Sequence, residues 1–425
     1  MNTRLLWRRS ATAIGLYGSV ALGLVGGLVA ARELGPHGFG LYALALAGAG
    51  FFQILLDLTV EEAMVKFGFR YTTKEQWGRL RRLYRRALLL KSAGALVGAA
   101  ALAIVAPFAD DIFNTHGLQG AMLLAALVPI AYLPESPAGA ALVLTGRYDV
   151  RAAFVFLTAM LRTAGFVAGA HYGVDEAILG LVLGQVAGSV AVGTAALAAF
   201  RRFPAAQPEP LGEDRRAIVR FVIQSSIGSG VVSVRSQLAP LLLGIVSTVP
   251  QVGFFRAALA PQTGLTALTA PVRLILLTEQ TRDWEAGASA KVFAGLKRFS
   301  FGAAALMVIS TPFLYWFMPT LIRVAYGSKY EPASDAARLM LIAGAVGLVF
   351  AWTKSLPVSV GRPGLRIVTH GLETIVLIPL VLVFGSLWDA TGAAAGVLVS
   401  TLVFASAWLV AVLRLHRAHT PVVAP

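Results

Sequence analysis

Leu34-Gly-Pro-His-Gly-Phe-Gly-Leu-Tyr-Ala-Leu-Ala-Leu-Ala47 is a tight Gly/Pro turn set between two long apolar runs. A version of it returns at Pro250-Gln-Val-Gly-Phe-Phe-Arg-Ala-Ala-Leu-Ala260, so that Gly40-Leu41-Tyr42 lies over Gly253-Phe254-Phe255 at an offset of 213. Two further places keep nearly that spacing. Arg85-Arg86 lie over Lys297-Arg298, and Gly146-Arg147 lie over Gly361-Arg362. Matches in register at three separated places point to a duplicated chain.

Composition gives the environment of the two copies. Of the 425 residues, 57% are hydrophobic and 13% charged, against about 25% charged in an ordinary soluble domain. The mean hydropathy is +0.73. Polar residues fall in short clusters between apolar runs of about 20 residues or more, the length that crosses a hydrocarbon core. A transmembrane barrel is excluded, because its strands are about 10 residues long and strictly alternating. The fold class is therefore all-α, a polytopic membrane protein of about 12 transmembrane helices. The absence of cysteine excludes disulfides and thiolate metal sites, and no residue pattern calls for a cofactor or a metal. The run Ala11 to Ala31 follows Arg4, Arg8 and Arg9, but it is longer than a signal-peptide core of 7–15 residues and reads as the first span.

The spans are expected near 11–31, 39–65, 84–108, 117–144, 150–171, 174–200, 218–246, 249–277, 292–318, 332–353, 365–387 and 389–413. Interior prolines such as Pro129, Pro134, Pro240 and Pro261 predict bent spans, tolerated where neighbouring helices satisfy the freed carbonyls. Lys and Arg collect on one side: at the N-terminus, across Lys66–Arg86, at Arg147 and Arg151, at Arg201–Arg220 and at Arg414–Arg417. By the positive-inside rule both termini are cytoplasmic. The net charge of +15 is mostly this orientation signal, and nucleic-acid binding is set aside because the charge has no domain to sit on. Within the Lys66–Arg86 connection, Trp77, Leu80 and Tyr84 recur at helical spacing among arginines, as in an interfacial helix on an anionic leaflet or a solvated lead-in. The proline-rich stretch Pro204–Asp214 falls at mid-chain, where a hinge belongs. Six spans on either side give two lobes, residues 1–205 and 206–425, of the same orientation. A pseudo-symmetric pair of this kind surrounds a central cavity in parallel-repeat transporters.

Several short motifs carry a family resemblance. Leu34-Gly-Pro-x-x-Phe-Gly-x-Tyr42, Leu144-Thr-Gly-Arg-Tyr148, Val252-Gly-Phe-Phe-Arg-Ala-Ala258, the segment Ala325–Leu339 and Val360-Gly-Arg-Pro363 resemble, in the same order, motifs of the Wzx-type polysaccharide exporters. These belong to the multidrug/oligosaccharidyl-lipid/polysaccharide exporter superfamily. The resemblance implies an inner-membrane flippase that moves a polyprenyl-pyrophosphate-linked oligosaccharide from the cytoplasmic to the outer leaflet by alternating access. It also implies lipid partners and the polymerase and glycosyltransferases of the same pathway. No catalytic motif accompanies it.

Candidate site residues are the ionisable groups within spans, each costing about 2.5–3.5 kcal/mol at the bilayer centre. Arg162 and Glu135 both lie about 15–18 Å from the cytoplasmic face by helical rise and are expected to pair. Arg235 and Arg256 have no acidic neighbour in their own hairpin and suit a substrate pyrophosphate, or a carboxylate of the other lobe such as Asp57. Arg273 and Lys354 lie nearer the cytoplasmic ends, where snorkelling competes with cavity use. Asp57, Glu61 and Glu62 offer proton or sodium coupling, or an interface pairing with Lys66 and Arg70. Glu373 has no assigned role. A multidrug/cation antiporter would need an acidic cavity in place of these arginines. A membrane glycosyltransferase or glycan polymerase would lean on Asp110-Asp111, which otherwise marks the outer face.

Overall fold

The computed structural model describes residues 3–56, 60–362 and 364–419, and among these its regular secondary structure is helical, with no strand. The helices are α1 (Thr3–Leu56), α2 (Val60–Thr73), α3 (Trp77–Val105), α4 (Ala109–Ile112), α5 (Leu118–Ala125), α6 (Val128–Ala131), α7 (Glu135–Leu144), α8 (Tyr148–Ala170), α9 (Val174–Phe200), α10 (Asp214–Val246), α11 (Val249–Ala258), α12 (Ala260–Glu285), α13 (Ser289–Tyr326), α14 (Ser334–Val349), α15 (Leu356–Ser359) and α16 (Gly364–His419). Eight helical stretches among the described residues are long and apolar enough to cross a membrane. Two of these are each a pair of helices joined at a kink. α1 breaks at Gly35, with φ 66° and ψ 177°, a left-handed conformation that glycine adopts at little cost. α16 breaks at Trp388–Asp389. Both kinks fall where the sequence places a span boundary.

The duplicated turn has the same local logic in both copies. Pro36 follows the Gly35 break. In the second copy Thr248 is extended and Pro250 enters the first turn of α11, where a missing N–H costs no hydrogen bond. Tyr42 stacks on Phe39 and Phe166, with ring centroids 5.7 and 4.5 Å apart. Phe255 is fully buried. The turns are packing elements.

The chain divides into two compact units, Met1–Gln237 and Leu238–Pro425. The boundary therefore lies within α10 and not at the expected 205/206. The reason is the packing of the first turns of α10. Ile218 and Val222 share a buried core with Met64, Phe67, Leu80, Leu83 and Tyr84 of α2 and α3, and Phe67 meets Phe221 edge-on at 6.0 Å. The mid-chain linker is also fastened rather than free. Glu209 N donates to Gly78 O at 3.1 Å, Arg81 donates to Pro204 O at 3.1 Å, and Trp77 stacks on Phe203 at 5.3 Å. Asp214 then accepts from Arg70 at 3.0 Å and from the Tyr71 hydroxyl at 3.1 Å. Burial, reinforced by the Asp214 charge, pushes the Tyr71 phenol up to about 12, so it stays a donor at neutral pH. The expected interfacial helix is likewise corrected. Trp77–Arg86 is the start of α3, and Leu80 and Tyr84 are buried against protein.

The first unit is held together by a close pairing of α8 and α9. A Cβ at Gly180 would stand 2.1 Å from the Gly165 carbonyl oxygen, and one at Gly169 would stand 2.0 Å from that of Glu176. Small residues at four-residue spacing let backbones approach where lipid supplies no hydrophobic drive between helices. In the second unit, Trp408 and Leu356 are fully buried among Val292, Leu296, Trp352 and Phe404.

Gly180→Val must separate α8 from α9, and overpacking of this kind costs about 1–3 kcal/mol. It is expected to lower the melting temperature of the detergent-solubilised protein. Gly23→Val, at a position with nothing within 4 Å, leaves it close to wild type, and equal melting of the two variants contradicts the packing account. Asp214→Ala is expected to speed tryptic cleavage after Arg215 and Arg216 while changing stability by no more than about 1 kcal/mol, the scale of exposed ion pairs. Unchanged cleavage shows that the linker does not depend on this fastening.

Candidate functional site

The fourth span is broken twice, between α5 and α6 and between α6 and α7, around Pro129 and Pro134. The breaks retain tight i→i−3 bonds, Leu127 N to Leu124 O at 3.1 Å, Leu133 N to Ile130 O at 3.1 Å and Glu135 N to Tyr132 O at 3.2 Å. They also bring Tyr132, Glu135, Ser136 and Pro137 to the point where four other helices meet. Gln185 of α9, fully buried, donates through Nε2 to Glu135 at 2.9 Å and to Ser189 at 3.0 Å. Tyr84 of α3 donates to Pro137 O at 3.2 Å. Glu61 of α2 sits 3.5 Å from Ser136 Oγ and accepts from Arg151 of α8 at 2.6 Å. Arg162 of α8 donates to the Tyr132 hydroxyl, its guanidinium 5.9 Å from the ring centroid. Beside Tyr132, a cavity of about 20 Å³ is lined by Gln53, Lys91, Gly94, Ala95 and Pro129, room for one water.

This geometry revises the sequence-based pairings. Glu135 and Arg162 are not bonded to one another. They sit at the same broken span and are satisfied by Gln185 and Tyr132. The partner of Glu61 is Arg151, not Lys66 or Arg70. Lys66 lies 4.3 Å from the Phe221 ring centroid, and Arg70 belongs to Asp214. Glu62 accepts from Ser225 of α10. Asp57 falls outside the described residues, as does the side chain of Arg273 on α12. Arg235 is half-buried on α10, in the first unit, and Lys354 is half-buried in the second. Arg256, on the last turn of α11, is exposed and acts electrostatically on Tyr326, which packs on Tyr330 at 5.4 Å.

Several participants escaped the sequence reading. Tyr132 and Gln185 carry no charge and sit inside apolar runs, where only a break at Pro134 and a lone amide in α9 mark them. In the second unit Glu373, 2% exposed, bonds to His370 Nδ1 at 3.0 Å. The i,i+3 spacing of that pair was legible. Asp110 is a structural group: its carboxylate accepts from the N–H groups of Gly117, Leu118 and Gln119 at 3.1, 2.8 and 3.0 Å. These are the orphan donors at the start of α5, where the helix dipole also favours an anion.

Comparison with known proteins agrees with this architecture. Residues 8–272 match the family model described as polysaccharide biosynthesis protein. No curated protein sequence matches the chain significantly. Among solved structures, the chain is similar to the lipid II flippase MurJ in an inward closed conformation, with a TM-score of 0.72 and 12% identity over 94% of this chain and 87% of that one. It is also similar to an inward-facing multidrug resistance MATE family transporter of the MOP superfamily, with a TM-score of 0.66 and 14% identity over 98% and 99% of the two chains. The chain belongs to the polysaccharide biosynthesis protein family and has the all-helical fold of these solved structures.

Proposed function

We propose that the protein is an inner-membrane flippase that carries a polyprenyl-pyrophosphate-linked oligosaccharide to the outer leaflet for cell-surface polysaccharide, such as lipopolysaccharide or exopolysaccharide. In this reading it is a carrier and not an enzyme, works by alternating access of its two halves, and serves the glycosyltransferases and polymerase of the same pathway. The observation that carries the reading is the state of the intramembrane cations. Arg162, deep in α8, is held by a neutral phenol, and Arg256 is exposed on α11. A guanidinium in a span that is not bonded directly to a carboxylate is costly and attracts a phosphate, which its planar fork of donors fits. Arg235, Arg256 and Arg162 are assigned to the pyrophosphate, with Lys354 and Arg273 as further cations toward the cytoplasmic ends. Glu61 serves as a structural anchor through Arg151, and coupling is left to Asp57 and Glu62. The family match and the likeness to a lipid II flippase support the same reading.

A multidrug/cation antiporter is the second reading, favoured by the likeness to a MATE structure over nearly the whole chain. It requires acidic groups to face the substrate. Glu61 and Glu135 are instead occupied by Arg151 and Gln185, which favours the anionic cargo.

Arg235→Ala combined with Arg256→Ala is expected to abolish export and to accumulate lipid-linked glycan on the cytoplasmic side, read by lipid extraction and surface glycan staining. Arg162→Gln alone is expected to reduce export at least about tenfold, since a hydrogen bond to a charged group is worth about 1.5–3 kcal/mol. Normal export by both well-folded variants refutes the anion site. Uptake of a cationic dye by proteoliposomes of the wild type, without transport of the lipid-linked glycan, replaces it with the antiporter.

A further inference from the structure

A groove of about 890 Å³ opens in the first unit between α2, residues 82–93 of α3 and the first turns of α10. Its composition is graded. At the linker end stand Arg82 and Arg86 of α3 and Arg215 of α10, and an adjoining cleft continues the basic rim through Arg216 and Arg220. Further along the same two helices the walls become apolar, with Leu89, Leu90 and Ala93 on one side and Val219, Val222 and Ile223 on the other. From Arg82 to Ala93 the α3 wall rises roughly 16 Å by helical geometry, enough for a headgroup and a good part of an acyl chain. Leu89 is 60% exposed and Ile223 50%, so the apolar end opens to the surroundings of the unit rather than into its core.

We propose that this groove binds a two-chain anionic phospholipid of the cytoplasmic leaflet, its phosphate held by Arg82, Arg86 and Arg215 and its acyl chains lying along α3 and α10. Charge complementarity selects an anion, because Glu213 is the only carboxylate lining either cleft among the described residues. The graded walls select an amphiphile, with its head toward the linker. Headgroup size is limited by Pro210, Leu211 and Gly212, which line the same end of the groove in a linker fastened at Glu209 and Asp214. A glycerophosphate headgroup suits that restricted end, whereas a large glycan would meet the linker. The groove is also distinct from the pyrophosphate site proposed above. Arg235 lies twelve residues beyond Ile223 on α10, roughly 18 Å away. Since Arg215 follows directly on Asp214, lipid binding and linker fastening share one helix start. A bound lipid thus ties the mid-chain connection to the state of the surrounding leaflet.

The test is native mass spectrometry of the full-length protein in detergent, titrated with phosphatidylglycerol, phosphatidylcholine or farnesyl pyrophosphate. Phosphatidylglycerol is expected to be retained in preference to phosphatidylcholine. The triple variant Arg82→Gln/Arg86→Gln/Arg215→Gln is expected to lose retention at least about tenfold, because basic residues near the surface carry the attraction to an anionic lipid. Arg201→Gln/Arg202→Gln, cytoplasmic arginines outside the groove, is expected to retain the lipid as wild type does. Ala93→Trp, which fills the apolar end and leaves every arginine in place, is expected to lower retention too, and it decides the matter if the triple variant fails to fold. Undiminished retention in Ala93→Trp or in the folded triple variant overturns the proposal, as does equal retention of the two phospholipids. Displacement of phosphatidylglycerol by equimolar farnesyl pyrophosphate also overturns it, assigning the groove to the carried lipid. None of these measurements depends on glycan export, so the proposed transport reading and the lipid site stand or fall separately.

Discussion

In a hydrocarbon solvent every backbone N–H and C=O must find a partner within the protein, and the surroundings of the broken fourth span are built to meet that demand. Where Pro129 and Pro134 interrupt the helix, the chain makes short-range bonds to itself. The side chains and carbonyls gathered at the break are then claimed by α2, α3, α8 and α9. Gln185 reaches Glu135, Tyr84 reaches Pro137, Glu61 stands beside Ser136, and Arg162 reaches Tyr132. A break of this kind is tolerable only when buried in protein. Its polar demand therefore fixes which helices surround it. The close approach of α8 and α9 through Gly165 and Gly180 brings Gln185 and Arg162 near enough to serve.

The same constraint separates charges held by opposite charges from those held by neutral groups. Glu61 with Arg151 and Arg70 with Asp214 are satisfied by opposite charges, and Asp110 is satisfied by three N–H groups at the start of the helix it caps. Arg162 is in a different position, because it is bonded to a phenol. That distinction reassigns a residue that depth and spacing alone would pair with Glu135.

The mid-chain linker has a comparable double character. Its prolines and its mid-chain place among the expected spans mark it as a hinge, yet Glu209, Pro204, Phe203 and Asp214 are all engaged by the α2–α3 corner. The start of α10 thus belongs to the first unit, and the chain passes from one unit to the next only beyond Gln237. Fastening the linker also lines up the arginines of α3 with those of α10 along one groove.

Hydropathy, interior Gly and Pro, and the position of Lys and Arg act locally along the chain. For that reason the sequence by itself determined the helical class, the approximate spans and the span boundaries near Gly35 and Asp389. It also showed which residues were charged within the membrane. It could not show their partners. Glu61 finds Arg151 ninety residues away, and Arg70 finds Asp214 144 residues away, pairings that no spacing rule reaches. Tyr132 and Gln185 are neutral and sit within apolar runs, so charge gave no signal for them. Only the tertiary structure decided which polar groups share a site, because that depends on how closely backbones approach. In this protein the approach is set by glycines whose counterparts lie on another helix.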